Sequence, residues 1–215
     1  MLAGRSATAL LAAAVLLLGG ACSGDDTASD AEQPTTGDAA PEPSALCRSL
    51  TPEELTRVIG GRAPEPLADS THTRCHWQTP GERAGLVGFV LPAEDWAEAL
   101  PSSLPQLKVN RDLPAKDRRL VERLEREVGA GALSHARACE VFADVARVSV
   151  MEAEAGAMVN FVPAGAVNPH QGVTAQRCED GRFASLTAYA ADALPDRATA
   201  RRTARALGTL LRRVG

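Results

Sequence analysis

The chain has 215 residues, a formal net charge of −4 and 3% aromatic residues. The acidic balance argues against a nucleic-acid-binding protein, which needs a basic face. So few rings leave neither a base-stacking platform nor a rich sugar-binding surface. The core must be built from Ala, Val and Leu, which gains less per residue than an aromatic core, so covalent cross-links would be useful.

The N-terminal segment reads MLAGRSATALLAAAVLLLGGACSGDD. Arg5 precedes an apolar run over residues 7–18, and the small residues Gly19, Gly20 and Ala21 follow. That order of charged, apolar and small residues is an export signal, predicted over residues 1–21. The apolar run is shorter than the ~20 residues of a membrane span. Cys22 follows directly and resembles the cysteine of a bacterial lipobox, although Leu18 lies four residues before it rather than three. The resemblance implies lipidation of Cys22 and a palmitate-type membrane anchor. Four other cysteines remain, an even number that can pair fully, so Cys22 is the one left over.

Residues 22–46 are predicted to form a disordered acidic tether, since 23–46 lack Lys and Arg and offer almost nothing to bury. Residues 47–215 then read as one α+β domain, or as two halves, 47–115 and 116–215. Thr51-Pro52-Glu53-Glu54 is a helix start with a capping box, and Gly60-Gly61 is its stop. Residues 74–78 and 84–91 read as a hairpin around a Thr-Pro-Gly-Glu turn. A short helix over 93–100, with Trp96 and Leu100 inward, precedes an irregular, Pro-broken stretch at 101–115. The apolar stripe Leu120, Val121, Leu124 and Val128 predicts a helix over 116–128. Three strand-like runs are expected at 139–143, 146–152 and 157–162. A polar loop over 163–176 leads to Cys178, and Arg182 begins a strand through Ala190. A helix over 195–213 closes the chain, buried along Ala200, Ala204, Leu207, Leu211 and Val214. Its arginines (Arg197, Arg201, Arg202, Arg205, Arg212) form a basic face for solvent or for anionic lipid. Hairpins without regular βαβ alternation predict an antiparallel sheet with helices packed on one side.

The stretch HTRCHW, residues 72–77, invites four readings. Covalent haem needs C-x-x-C-H, and His72 occupies the first position. A zinc site needs three or four ligands, and residues four apart on a strand lie ~13 Å from one another. A nucleophilic Cys75 needs a base, whereas the adjacent His76 points to the other face of a strand. The reading adopted is a structural disulfide, with Trp77 as a core anchor beside it. Cys47, Cys75, Cys139 and Cys178 allow three connectivities. Cys47–Cys75 with Cys139–Cys178 is preferred, because each bridge then joins consecutive units of one half. Ser134-His135, with Asp144 nearby, is a tempting hydrolase pair, but adjacent residues rarely make a nucleophile–base hydrogen bond. His135 and His170 stand alone. Glu152 and Glu154 share one side of a strand without sugar-binding aromatics around them. No G-x-S-x-G, H-E-x-x-H, P-loop or dinucleotide fingerprint is present.

The leading cysteine, the capped helix CRSLTPEELTRVIG and the Cys75-His76-Trp77 strand resemble a group of actinobacterial secreted lipoproteins that carry a domain of unknown function. The wealth of Arg, Ala and Gly against two lysines fits a GC-rich genome of that kind. The resemblance implies a cell-envelope lipoprotein on the extracytoplasmic face and carries over no catalytic residues. The expectation is therefore a lipid-anchored, non-enzymatic binding or interaction module. It has no cofactor or metal, and its partners are the membrane and a small ligand or envelope protein, not nucleic acid. The alternatives are an accessory subunit of an envelope complex or an extracytoplasmic enzyme.

Overall fold

A computed structural model describes residues 44–68, 70–81, 83–109, 113–163, 171–190 and 194–214. The folded part begins with a single turn, α1 (Ala45–Arg48), capped by Ser44. Leu46 is buried in the core, so the fold starts slightly before the tether boundary read from composition. In α2 (Pro52–Ile59) the capping box forms as expected: Thr51 N donates to Glu54 Oε2 at 2.8 Å and Glu54 N to Thr51 Oγ1 at 3.3 Å. Gly60, at φ 77°, ends the helix in a conformation that costs glycine little.

Among the described residues seven strands form one antiparallel sheet, in the order β1-β2-β3-β7-β6-β5-β4. They are β1 (Glu65–Pro66), β2 (Arg74–Gln78), β3 (Ala84–Pro92), β4 (Glu152–Glu154), β5 (Ala157–Val162), β6 (Gln171–Glu179) and β7 (Arg182–Ala190). The central β3–β7 pairing joins a strand from before residue 115 to one from after it, so the sheet is common to both halves of the chain. Helix α7 (Arg197–Val214) lies along one face with α1 and α2. Leu207, Leu210 and Leu211 of α7 meet Trp77, Leu86, Val173, Ala184 and Leu186 in the larger core cluster. The antiparallel α+β class read from the hairpin pattern is the one observed.

A second helical group fills one end of the molecule. It consists of α3 (Ala93–Glu98), a 3-10 turn (Leu100–Ser102), α4 (Leu104–Val109), α5 (Ala115–Gly129) and α6 (His135–Val148). Its own cluster includes Leu100, Leu104, Leu120, Val121, Leu124 and Val141. It joins the sheet through three rings: Trp96 stacks on Phe183, Phe142 meets both edge-on, and the centroids lie 5.1–5.6 Å apart.

Three expectations are corrected here. The strand-like runs at 139–143 and 146–152 belong mostly to α6, with only Glu152 reaching a strand. Ala138, Val141, Phe142 and Ala146 repeat at helical spacing, and the β-branched valines obscure that period. The stretch at 101–115 is largely helical because Pro101 and Pro105 occupy first-turn positions, where a missing N–H is harmless. Residues 171–176 of the expected polar loop are the first part of β6. Its weak strand formers are held by ladders on both sides.

Candidate functional site

The structure pairs Cys47 with Cys75 and Cys139 with Cys178, each with Cα atoms 5.2 Å apart, as preferred from the sequence. HTRCHW therefore straddles the start of β2. His72 is exposed before the strand, Cys75 is bridged and Trp77 is wholly buried, with Nε1 donating to Cys47 O at 3.2 Å. Cys22 and His170 lie outside the described residues. Ser134 is no nucleophile: it caps α6, its Oγ accepting from Arg137 N at 3.3 Å. Asp144 pairs with Arg147 on the same helix. Glu152 and Glu154 do share a side, where they meet Arg197 at 3.4 Å and Arg201 at 3.2 Å on α7. With Arg202 bonded to Val58 O and Arg213 bidentate on Glu54, much of the arginine face is tied to the protein itself.

Two places on the molecule gather polar chemistry. The first is the sheet face turned away from α7. Residues opposed across antiparallel ladders point to one face, and the registers align His76, Val87, Thr187, Thr174 and Asn160 in one row. The neighbouring row holds Arg74, Phe89, Ser185, Gln176 and Met158. Thr174, Gln176 and Ser185 are all buried. Thr174 and Thr187 share a hydrogen bond of 2.9 Å, and His76 Nε2 lies 2.7 Å from Tyr189 Oη. Tyr189 reaches His76 by lying across Gly85. A Cβ there would sit 2.6 Å from Tyr189 Cζ and 2.5 Å from Trp77 O, so only glycine fits. Asn160 Oδ1 is buried with no hydrogen-bond partner among the described residues. A buried polar atom of this kind needs an explanation, because leaving it unpaired costs about 1–3 kcal/mol.

The second place is an open cleft of about 570 Å³ between the α6 start and the β6–β7 turn. Asp180 and Gly181 form that turn with φ 48° and 73°, the pattern of a two-residue hairpin of the primed type. Gly181 O accepts from Ala93 N at 2.9 Å, which ties the turn to α3. Glu94 of α3 pairs with His135 Nδ1 across the cleft, and Ala136, Cys139, Glu179 and Arg182 also line it. His135 and Cys139 are four apart on α6, hence on one helix face.

Neither the His76–Tyr189 nor the Glu94–His135 contact is readable from spacing, since their partners are 113 and 41 residues apart. The one available signal was the alternation of Ser185, Thr187 and Tyr189 in β7. Its polar counterparts in β6 were hidden in what reads as a loop. No protein-family model matches this chain, and no curated protein or solved structure matches it significantly.

Proposed function

We propose that the chain is a lipid-anchored cell-envelope protein of the actinobacterial lipoprotein kind. It is held on the extracytoplasmic face through Cys22 and binds a small polar ligand without catalysing a reaction. The observation that carries the binding role is the buried polar face of the sheet. Thr174, Gln176 and Ser185 are buried beside Asn160, whose Oδ1 has no partner among the described residues. A ligand that donates a hydrogen bond would remove that cost. Neutral hydroxyl and amide groups of Thr174, Gln176, Ser185 and Asn160 side by side suit a neutral, hydroxyl- or amide-bearing molecule. Two bridged cysteine pairs accord with a disulfide-permissive compartment. The residues read as possible nucleophiles are otherwise engaged: Ser134 caps a helix and Cys75 is bridged.

Two measurements test this reading. Membrane fractionation of cells making the full chain should show it in the membrane pellet and Cys22→Ser in the soluble fraction. A serine variant that still pellets refutes the lipid anchor. Native mass spectrometry of the detergent-extracted protein should show a bound small molecule that is lost in Asn160→Leu. If wild type and variant carry the same mass, the polar face is not the binding site.

A further inference from the structure

The two disulfides are placed very differently. Cys47 and Cys75 are 4% and 0% exposed and belong to the main core cluster beneath Trp77. Cys139 and Cys178 are both half-buried, and Cys139 lines the open cleft. Both pack against the helical cluster, but Cys178 packs also against Phe142, Ala146 and Phe183 and does not line the cleft. A thiol entering the cleft therefore meets the Cys139 sulfur first, with Cys178 behind it. His135, paired with Glu94, stands one turn before Cys139 on the same helix face, and Glu179, Asp180 and Arg182 line the cleft with it.

We infer that the cleft is a thiol–disulfide exchange site at which a dithiol reductant opens Cys139–Cys178 while Cys47–Cys75 stays closed. The reductant thiolate attacks Cys139 Sγ, forming a mixed disulfide. The Cys139–Cys178 bond breaks, and Cys178 leaves as a thiolate that takes up a proton. The second thiol of the reductant, once deprotonated, attacks its own sulfur in the mixed disulfide. That step closes the reductant's disulfide and releases Cys139 as a thiolate, which takes up the second proton. Two electrons and two protons pass from the dithiol to the protein.

The fold is built to survive this step. The inner face of α6 is held by Ala138, Val141, Phe142 and Ala146 in two apolar clusters. Opening the bridge frees the first turns of α6 from β6. The Glu94–His135 pair and the bond from Ala93 N to Gly181 O remain to hold the cleft walls together. Exchange then exposes two thiols in the cleft of a folded protein.

The test uses the full oxidised chain in detergent. It is incubated with dithiothreitol in one arm and with a reduced C-x-x-C protein in the other, quenched with iodoacetamide and mapped by peptide mass spectrometry. Cys139 and Cys178 should be alkylated about 100-fold or more faster than Cys47 and Cys75, because the buried bridge is reached only through opening of the core. Reaction in the first arm alone identifies small dithiols as the source, and reaction in both admits protein dithiols. Glutathione, a monothiol, should leave its adduct on Cys139. Ala136→Trp, which narrows the cleft at an exposed helix position, should slow reduction at least tenfold while leaving the urea midpoint unchanged. Equal rates at the two bridges, no reduction until urea unfolds the chain, an adduct on Cys178, or an Ala136→Trp variant as fast as wild type would each overturn the assignment.

Discussion

The two bridges span loops of similar length, with sequence separations of 28 and 39, yet they sit in different kinds of place. Chain entropy treats them almost alike, at about 3–4 kcal/mol each. Burial does not. Around Cys47–Cys75 the protein is a conventional core, where α1, α2 and α7 close over Trp77 and the small residues of the central strands. Around Cys139–Cys178 a bundle of helices leans on the end of the sheet through a cluster of three rings and the bond from Ala93 N to Gly181 O, while ion pairs tie the helices to one another. A cross-link of the same entropic value is thus a sealed part of the interior in one region and a half-buried clasp beside an open cleft in the other.

The sharpest way to break this comparison is to remove each bridge in turn. C139A/C178A should lose about 3–4 kcal/mol of unfolding free energy in urea. C47A/C75A should lose roughly 1–2 kcal/mol more, because two buried sulfurs vanish from a filled core and leave a cavity. Equal losses would mean that burial adds nothing to the first bridge. The tryptophans make the same contrast with packing alone. Trp77→Ala, which empties a wholly buried site, should cost about 3–5 kcal/mol, and the half-buried Trp96→Ala roughly half as much.

The smallest effect concerns a surface tie of the helical group. Arg137 on α6 bonds Glu127 on α5, with Nη2 2.7 Å from Oε2. Hydrogen bonds from Arg137 hold the Glu127 carboxyl below its ordinary value, against a smaller opposing effect of burial. Because the folded value is depressed, the contribution is fully present above the unfolded value of about 4.3 and is lost as pH falls through the folded one. Glu127→Gln should therefore lower stability by under about 1 kcal/mol at pH 7 and by nothing measurable once pH lies below the folded value. Urea midpoints for both proteins across that range decide it, and a constant difference at all pH values would show that the charge plays no part.

Much of the first region was legible in the sequence. Thr51-Pro52-Glu53-Glu54 is a local signal, and local hydrogen bonds satisfy it. The hairpin of β2 and β3 has its turn in the sequence between two alternating runs, and the stripe of α7 repeats with helical period. The pairing of the cysteines followed from chain proximity. The second region was harder. A valine-rich amphipathic helix and a strand share too many residue types over a few turns, so α6 was misread even though Ser134 marks its start. Likewise, β6 carries Gln, Gly, Thr and Ala and becomes a strand because β5 and β7 pair with it on either side.

By itself the sequence determined the elements whose stabilising contacts lie within a turn or two: capped helices, a hairpin, an apolar stripe, and an even set of cysteines. Only the tertiary structure decided what those elements bring together. The row from His76 to Asn160, the pairing of Glu94 with His135, and the full burial of one disulfide against the half-burial of the other all depend on strand order and helix placement. These contacts join residues tens to more than a hundred positions apart. They arise from packing of whole faces, for which no short stretch of chain carries a signal.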